Sequence, residues 1–383
     1  MSPGAVAGAT ASLIERLETE LRDLRTAPDD PALAPKSRVC TMNIEIVASS
    51  RQLLERYAPV ANEVTANVPA RVILASIEPD APGDEITGGA TAVCSIEGDR
   101  NICSECVSLD ARGPACARAA SAIQAFLVPE LPTALVWLGR VHVDDPVFQE
   151  LASDAHRIVV DSMYMSFASM LRLVAWARTR SHAPRISDMA WTRLASWQEM
   201  TARLFDNLDA RPLASGITRV TLTQASEQGA GLGPEPTLLL AWLATRLGWR
   251  TSRLAGKTLL HRPDGGVVTM DLGAVPLPDG VAPQTLAAVV IEAEADGATM
   301  TGSIERELGS GLGSGQQDTT VDADVIVWRQ TLAGSPPLEQ RVRLGANKAA
   351  KWLERTLHRP MRDPAFDESV AFAEQLVEGG LSV

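Results

Sequence analysis

Ile14, Leu17, Leu21 and Leu24 recur at helical spacing within residues 12–26, with Glu and Arg between them, so the chain opens on a short amphipathic helix. Pro28, Pro31 and Pro35 end it. Beyond them short apolar runs alternate with stretches of 3.6-residue period. The pattern predicts strands over 39–48, 71–77, 91–96, 102–109, 133–138 and 157–160, and helices over 51–64, 117–126, 147–154, 166–178 and 188–207. Strands separated by helices imply an α/β domain with a mainly parallel sheet flanked by helices. After a seam marked by Asp209, Arg211, Pro212, Ser215 and Gly216, the pattern changes to a strand (217–224) and a helix (237–247). A run of strands follows over 258–261, 267–272, 286–294, 298–304, 321–330 and 340–344, closed by a helix over 348–357. That run predicts a second, α+β domain rich in antiparallel strands. The expected organisation is therefore a helix and Pro-rich linker at 1–36, an α/β domain at 37–210 and an α+β domain at 216–383. Between two of the late strands, GSGLGSGQQD at 309–318 has the composition of a loop.

One helix in this pattern is unusually fat. At ~100° per residue, Met200, Arg193, Leu204, Trp197, Leu194, Phe205 and Trp191 cover more than half the circumference of 186–205. Asp206, Glu199, Thr192, Arg203 and Ser196 are left as the polar stripe. A surface helix shows an apolar arc only a little wider than ~100°. This helix is therefore either buried on two sides of its own domain, with Arg193 snorkelling, or covered in part by another protein, since aromatics and Arg concentrate at interface cores.

Length and composition narrow the function classes. A chain of 383 residues suggests two domains. Hydrophobic content of 45% with 21% charged residues is that of a globular chain, and no window approaches the ~20 apolar residues that span a bilayer. The N-terminal stretch lacks a basic start and an apolar block of signal-peptide length, so a cytoplasmic location is expected. Net charge of −12 without a Lys/Arg cluster argues against nucleic-acid and anionic-membrane partners.

Candidate chemistry is sparse. Gly229, Gly231 and Gly233 sit between a strand and a helix, but position 234 is Pro and Glu235 would repel an anion from the helix N-terminus. Pro in a first helical turn explains this loop without a phosphate. His142, His156, His182, His261 and His358 lack metal-ligand spacing, so neither metal nor cofactor is expected. Asp161 and Ser162 end a strand where open α/β sheets bind ligands. With Arg71 they make a candidate ligand edge for a sugar phosphate, although they serve equally as turn and cap residues. Among the cysteines, Cys103 and Cys106 have C-x-x-C spacing but point to opposite faces of a strand. A two-residue turn at Gly98 and Asp99 instead sets Cys94 opposite Cys103. Cys94, Cys103 and Cys106 are thus candidate redox thiols, against a default of reduced, buried cysteines.

The segments TMNIEIVAS (41–49), PARVILA (69–75), ICSECVSL (102–109), LPTALVWLG (131–139), RIVVDS (157–162), SDMAWTRLASW (187–197) and LLLAWLATRLGW (238–249) together resemble the glucose-6-phosphate dehydrogenase assembly protein family, OpcA. The specific part is Asp-x-Ala-Trp-x-Arg-x-x-x-Trp, here Asp188, Trp191, Arg193 and Trp197. The chain departs from the family's common His-Pro-x-Arg, carrying Val68-Pro69-Ala70-Arg71. The resemblance implies a non-enzymatic protein that binds glucose-6-phosphate dehydrogenase and promotes its active oligomer in the oxidative pentose phosphate pathway. It makes Asp188, Trp191, Arg193 and Trp197 candidate partner-binding residues, with Arg193 and Trp197 favoured for contact and Trp191 for the core. A sugar-phosphate enzyme or sensor, or a thiol-based redox sensor, are the alternatives.

Overall fold

The computed structural model describes residues 3–26, 36–37, 40–97, 100–226, 231–254, 257–277, 281–307, 325–343, 349–360 and 362–381. The Gly-rich stretch 309–318, Gly229 and the turn at Gly98 and Asp99 lie outside them.

The described chain runs α1 (Pro3–Thr26), β1 (Lys36–Ser37), β2 (Met42–Ala48), α2 (Arg51–Thr65), β3 (Ala70–Glu78), β4 (Glu85–Glu97), β5 (Arg100–Arg112), α3 (Ala119–Gln124), β6 (Thr133–Leu138), α4 (Pro146–Asp154), β7 (Arg157–Val160), α5 (Phe167–Arg178), β8 (Arg185–Asp188) and α6 (Met189–Arg203). It continues with β9 (Ile217–Ala225), α7 (Pro234–Arg246), β10 (Arg250–Leu254), β11 (Lys257–His261), β12 (Val267–Val275), β13 (Thr285–Ala295), β14 (Ala298–Arg306), β15 (Val325–Leu332), β16 (Leu338–Arg343), α8 (Ala349–His358) and α9 (Pro364–Glu378).

The first sheet has the order β1-β5-β3-β2-β6-β7-β8, with β4 paired to β5. All of its pairings are parallel except the β4–β5 hairpin. Local chemistry sets the connections: Ser50 caps α2 by accepting from the Leu53 amide, and Asp145 followed by Pro146 starts α4. The strands β2 and β3 are Val/Ile/Leu-rich because helices cover both faces of a parallel sheet. On one face Ile44, Ile46, Val72 and Val136 pack with Val64 of α2 and with Trp352 and Leu353 of α8. Arg157 holds α8 in place: its guanidinium donates to the carbonyls of Thr356 and Arg359 at the end of that helix, satisfying acceptors that have no partner within the helix.

The second sheet has the order β10-β11-β12-β9-β13-β14-β15-β16. It is mainly antiparallel, as the pattern predicts, but β12 pairs parallel to β9. That pairing brings two strands the sequence treats as part of one meander into a crossover spanned by α7, β10 and β11. The sequence pattern also passes over β8 and β10, short strands with few buried positions.

The chain clusters into two compact units that interleave in sequence: Met1–Met165, Arg172–Met189 and Ala349–Met361 form one, and Ser166–Leu171, Ala190–Lys348 and Arg362–Val383 the other. The cut expected at 210–216 falls within the second unit, and α8, expected in the second domain, clusters with the first.

Candidate functional site

The four motif residues are placed by β8 and α6, and the structure does not present them as one surface. Residues 186–188, read as the start of the helix, are strand β8, in which Asp188 lies opposite Val160 of β7. Its buried carboxylate accepts from the Ser162 amide at 3.0 Å and the Ser162 hydroxyl at 2.6 Å, fixing the turn after β7. Asp188 is thus an internal acceptor.

Trp191, Arg193 and Trp197 lie on α6 in the second unit. Trp191 is buried against Phe366 with centroids 5.6 Å apart, and its indole N–H donates to Asp363, the N-cap of α9, at 2.9 Å. Trp197 is 1% exposed, with the Arg306 guanidinium 5.5 Å from its ring centroid. This leaves Trp197 no surface for a partner, and corrects the preference for it as a contact residue. Arg193 donates to Glu235 at 2.8 Å; their side chains are 18% and 3% exposed. The second Glu235 oxygen accepts from the Leu286 amide of β13.

The fat side of α6 is therefore filled from within its own unit. Leu204 lies against Gly302, where an added Cβ would come within 2.6 Å of it. Trp328 and Gln330 of β15 donate to the Met200 and Leu204 carbonyls at the helix end. Of the predicted polar stripe, Glu199, Arg203 and Asp206 are exposed but Thr192 is buried. Arg193→Ala, which strands the buried Glu235 carboxylate, is expected to destabilise the protein by about 2–4 kcal/mol. Adding Glu235→Gln should recover part of the loss. Urea midpoints of the two variants check this, and an unchanged midpoint for Arg193→Ala contradicts it.

The candidate ligand edge separates. Arg71 lies at the amino end of β3, opposite Asn43, which is opposite Thr133 of β6. Val136 pairs with Val159, so Asp161 follows the carboxyl end of β7, level with Leu138. The offset is five residues, roughly 16 Å along the strands, and the two groups sit at opposite edges of one parallel sheet. Each is also engaged: Arg71 donates to the Phe126 carbonyl and to Glu105, Asp161 caps the turn through the Met163 amide, and Ser162 binds Asp188. The constellation Arg71, Asp161 and Ser162 is not a cleft. At the carboxyl edge, where a βαβ unit would offer its helix N-terminus to a phosphate, Glu78 already accepts from the Arg51 amide of α2 at 2.5 Å. In the second unit Pro234 opens α7, as the sequence implies for that loop, while Glu235 turns inward to Arg193.

In the β4–β5 hairpin Cys94 pairs with Cys103 across the ladder, the register expected from the sequence; the side chains of both lie outside the described residues. Cys106 is buried, and burial pushes its thiol up to about 11. That makes it a poor thiolate near neutral pH. Among the described residues no group of His, Cys, Asp or Glu could hold a metal ion, and no helix is long and apolar enough to cross a membrane. One ionisable group escapes the sequence pattern: Glu45, mid-strand in β2, is 1% exposed, and its Oε2 has no hydrogen-bond partner among the described residues. Burial above all, and the Asp154 carboxylate, push its pKa up to about 8.

Comparison with known proteins bears on this arrangement of engaged groups. The glucose-6-phosphate dehydrogenase subunit N-terminal domain of OpcA matches residues 61–175, and the corresponding C-terminal domain matches residues 184–370. The chain belongs to the OpcA family. The OpcA protein of Synechocystis sp., whose name assigns it provisionally to the OxPP cycle, is 24% identical over 355 residues, 87% of this chain and 70% of that protein. The OpcA protein of Nostoc punctiforme, named likewise, is 30% identical over 195 residues, 50% of this chain and 40% of its own. Among solved structures, an oxidoreductase from Sinorhizobium meliloti aligns over 88% of this chain and 96% of that one, at 10% identity and a TM-score of 0.44. The OpcA domain boundary at 175–184 places the whole Asp188 to Trp197 motif in the C-terminal domain match. These motif residues build α6 into the second unit and fix the turn at Ser162.

Proposed function

We propose that this chain is a non-enzymatic assembly factor that binds glucose-6-phosphate dehydrogenase and favours its active oligomer, serving the oxidative pentose phosphate pathway. The observation that carries the reading is the match to both OpcA domains over residues 61–175 and 184–370. The geometry supports it from the other side: Arg71, Asp161, Ser162 and Asp188 are all engaged within the fold, and Glu78 occupies the N-terminal amide of α2. A protein acting by differential binding needs no catalytic group. It has only to bind the active oligomer more tightly than the inactive form, and the population follows. With Trp197 internal, the contact surface lies elsewhere. Tyr164, 65% exposed in the turn after β7, is the aromatic anchor we assign to it.

The test is dehydrogenase activity at several enzyme concentrations, with and without this chain. The expected result is activation that is greatest at low enzyme concentration, where the inactive form dominates, together with co-elution that Tyr164→Ala weakens. Unchanged kinetics and separate elution would reject the assignment.

A further inference from the structure

In the second sheet β9, β13, β14 and β15 bury one face, and among the described residues their other face is partly exposed except at Val327, which is 5% exposed. Ile291, Gly302, Trp328 and Gln330 lie on the buried face, where α6 packs, and Gln224 on the same face binds the Gly233 amide at the start of α7. Thr258 near Gly379, at the end of α9, completes the cover. The register fixes what the other face presents. Its middle row runs Asp271, Thr221, Val290, Ser303, Arg329 and Glu339, and the next row runs Gly273, Thr223, Ala288, Glu305, Val327 and Arg341. On the far side of the middle row lie Thr269, Arg219, Glu292, Thr301 and Thr331.

This layout has a small, uncharged centre, made of Thr221, Thr223, Gly273, Ala288, Val290 and Ser303, inside a charged rim. The rim is neutralised locally, since Arg219 pairs with Asp271 and Glu292, and Arg329 with Glu305 and Glu339. A chain of net charge −12 repels its own copies in general, but two such faces meet without a like-signed field.

We propose that this face pairs with the same face of a second copy of the chain. The register selects the two-fold axis, along the seam between β9 and β13. Rotation about it sets Arg219 over Glu292 of the other copy, and Glu292 over its Arg219. It also places Thr221 over Val290, Thr223 over Ala288, Thr269 over Thr301 and Asp271 over Ser303. The two central strand pairs thereby bring opposite charges together twice and small side chains together elsewhere. These columns flank the axis, so the roughly 30° rotation between packed sheets displaces them least. Across this axis β9 lies over β13 and β12 over β14, so four strands about 4.8 Å apart and seven residues of about 3.3 Å give roughly 440 Å² per copy, or roughly 900 Å² in total, the size of a weak, transient interface. The interface is isologous, as a two-fold dimer requires.

Sedimentation equilibrium of the full chain tests the assignment. The wild type is expected to dimerise in the micromolar range. Val290→Arg should weaken the dimer at least about tenfold while leaving the circular dichroism and thermal midpoint unchanged. Arg219→Glu should weaken it too, and the double variant Arg219→Glu with Glu292→Arg should restore much of it. A chain that stays monomeric throughout that range overturns the proposal, as does a dimer indifferent to Val290→Arg. A monomer whose co-elution with glucose-6-phosphate dehydrogenase is lost in Val290→Arg would assign the face to that partner, and equally overturns pairing with a second copy. None of these dimer outcomes touches the activity measurement that tests the proposed function.

Discussion

Trp197→Ala is expected to lower the unfolding free energy by about 3–5 kcal/mol, the range for removing a large aromatic from a core. The side chain is 1% exposed on the sheet-facing side of α6, and the helix is tied to β15 at its end by donations from Trp328 and Gln330. Neighbours held in this way cannot collapse into the space left behind, so the effect belongs at the upper part of that range. Arg306 would also lose the ring beneath its guanidinium. Denaturant titration of wild type and variant measures the difference. The folded fraction of the variant should still bind the dehydrogenase as the wild type does. Unaltered stability with lost binding would restore Trp197 as a contact residue.

Glu45→Gln is expected to stabilise the protein, increasingly so as the pH rises. The folded-state pKa of Glu45 is raised from 4.5 to about 8 by burial and by Asp154. The folded chain therefore holds this proton more tightly than the unfolded chain does. Below about pH 4.5 the carboxyl is neutral in both states and exerts no ionisation penalty. Between pH 4.5 and 8 the unfolded state gains progressively from ionising, and above about 8 the penalty is constant. Each pH unit in that window is worth about 1.4 kcal/mol, so the substitution should gain little at pH 4 and about 3–5 kcal/mol at pH 9. Urea midpoints of both proteins across that range give the comparison. A difference that does not vary with pH would mean that Glu45 ionises freely within the fold.

Much of the first sheet is written in the chain because its strands are short apolar runs bounded by Pro, Gly and caps. The strands at 133–138 and 157–160 coincide with β6 and β7, and the pairing of Cys94 with Cys103 follows from a two-residue turn. What the pattern misses depends on pairing at a distance. The parallel alignment of β12 with β9 leaves no local trace, and β8 is absorbed into the helical period that begins one residue later. The same limit applies to the candidate site. Periodicity gives α6 an excess of buried surface, which the structure upholds, but it cannot say that Glu235, 42 residues onward, takes up Arg193. Nor can strand-end positions alone reveal that Arg71 and Asp161 belong to opposite edges, because that follows from strand direction in the assembled sheet. Glu45 did leave a signal: a lone carboxylate inside NIEIVA, in a strand whose other positions predict burial on both faces.

As proposed above, this chain acts on glucose-6-phosphate dehydrogenase by favouring one of its assembly states. Sedimentation velocity of the dehydrogenase, diluted until its smaller form predominates and then mixed with this chain, reads that shift itself. The expected result is a complex containing both proteins and a redistribution of the dehydrogenase toward its larger, active form. A dehydrogenase profile identical with and without the chain would contradict it.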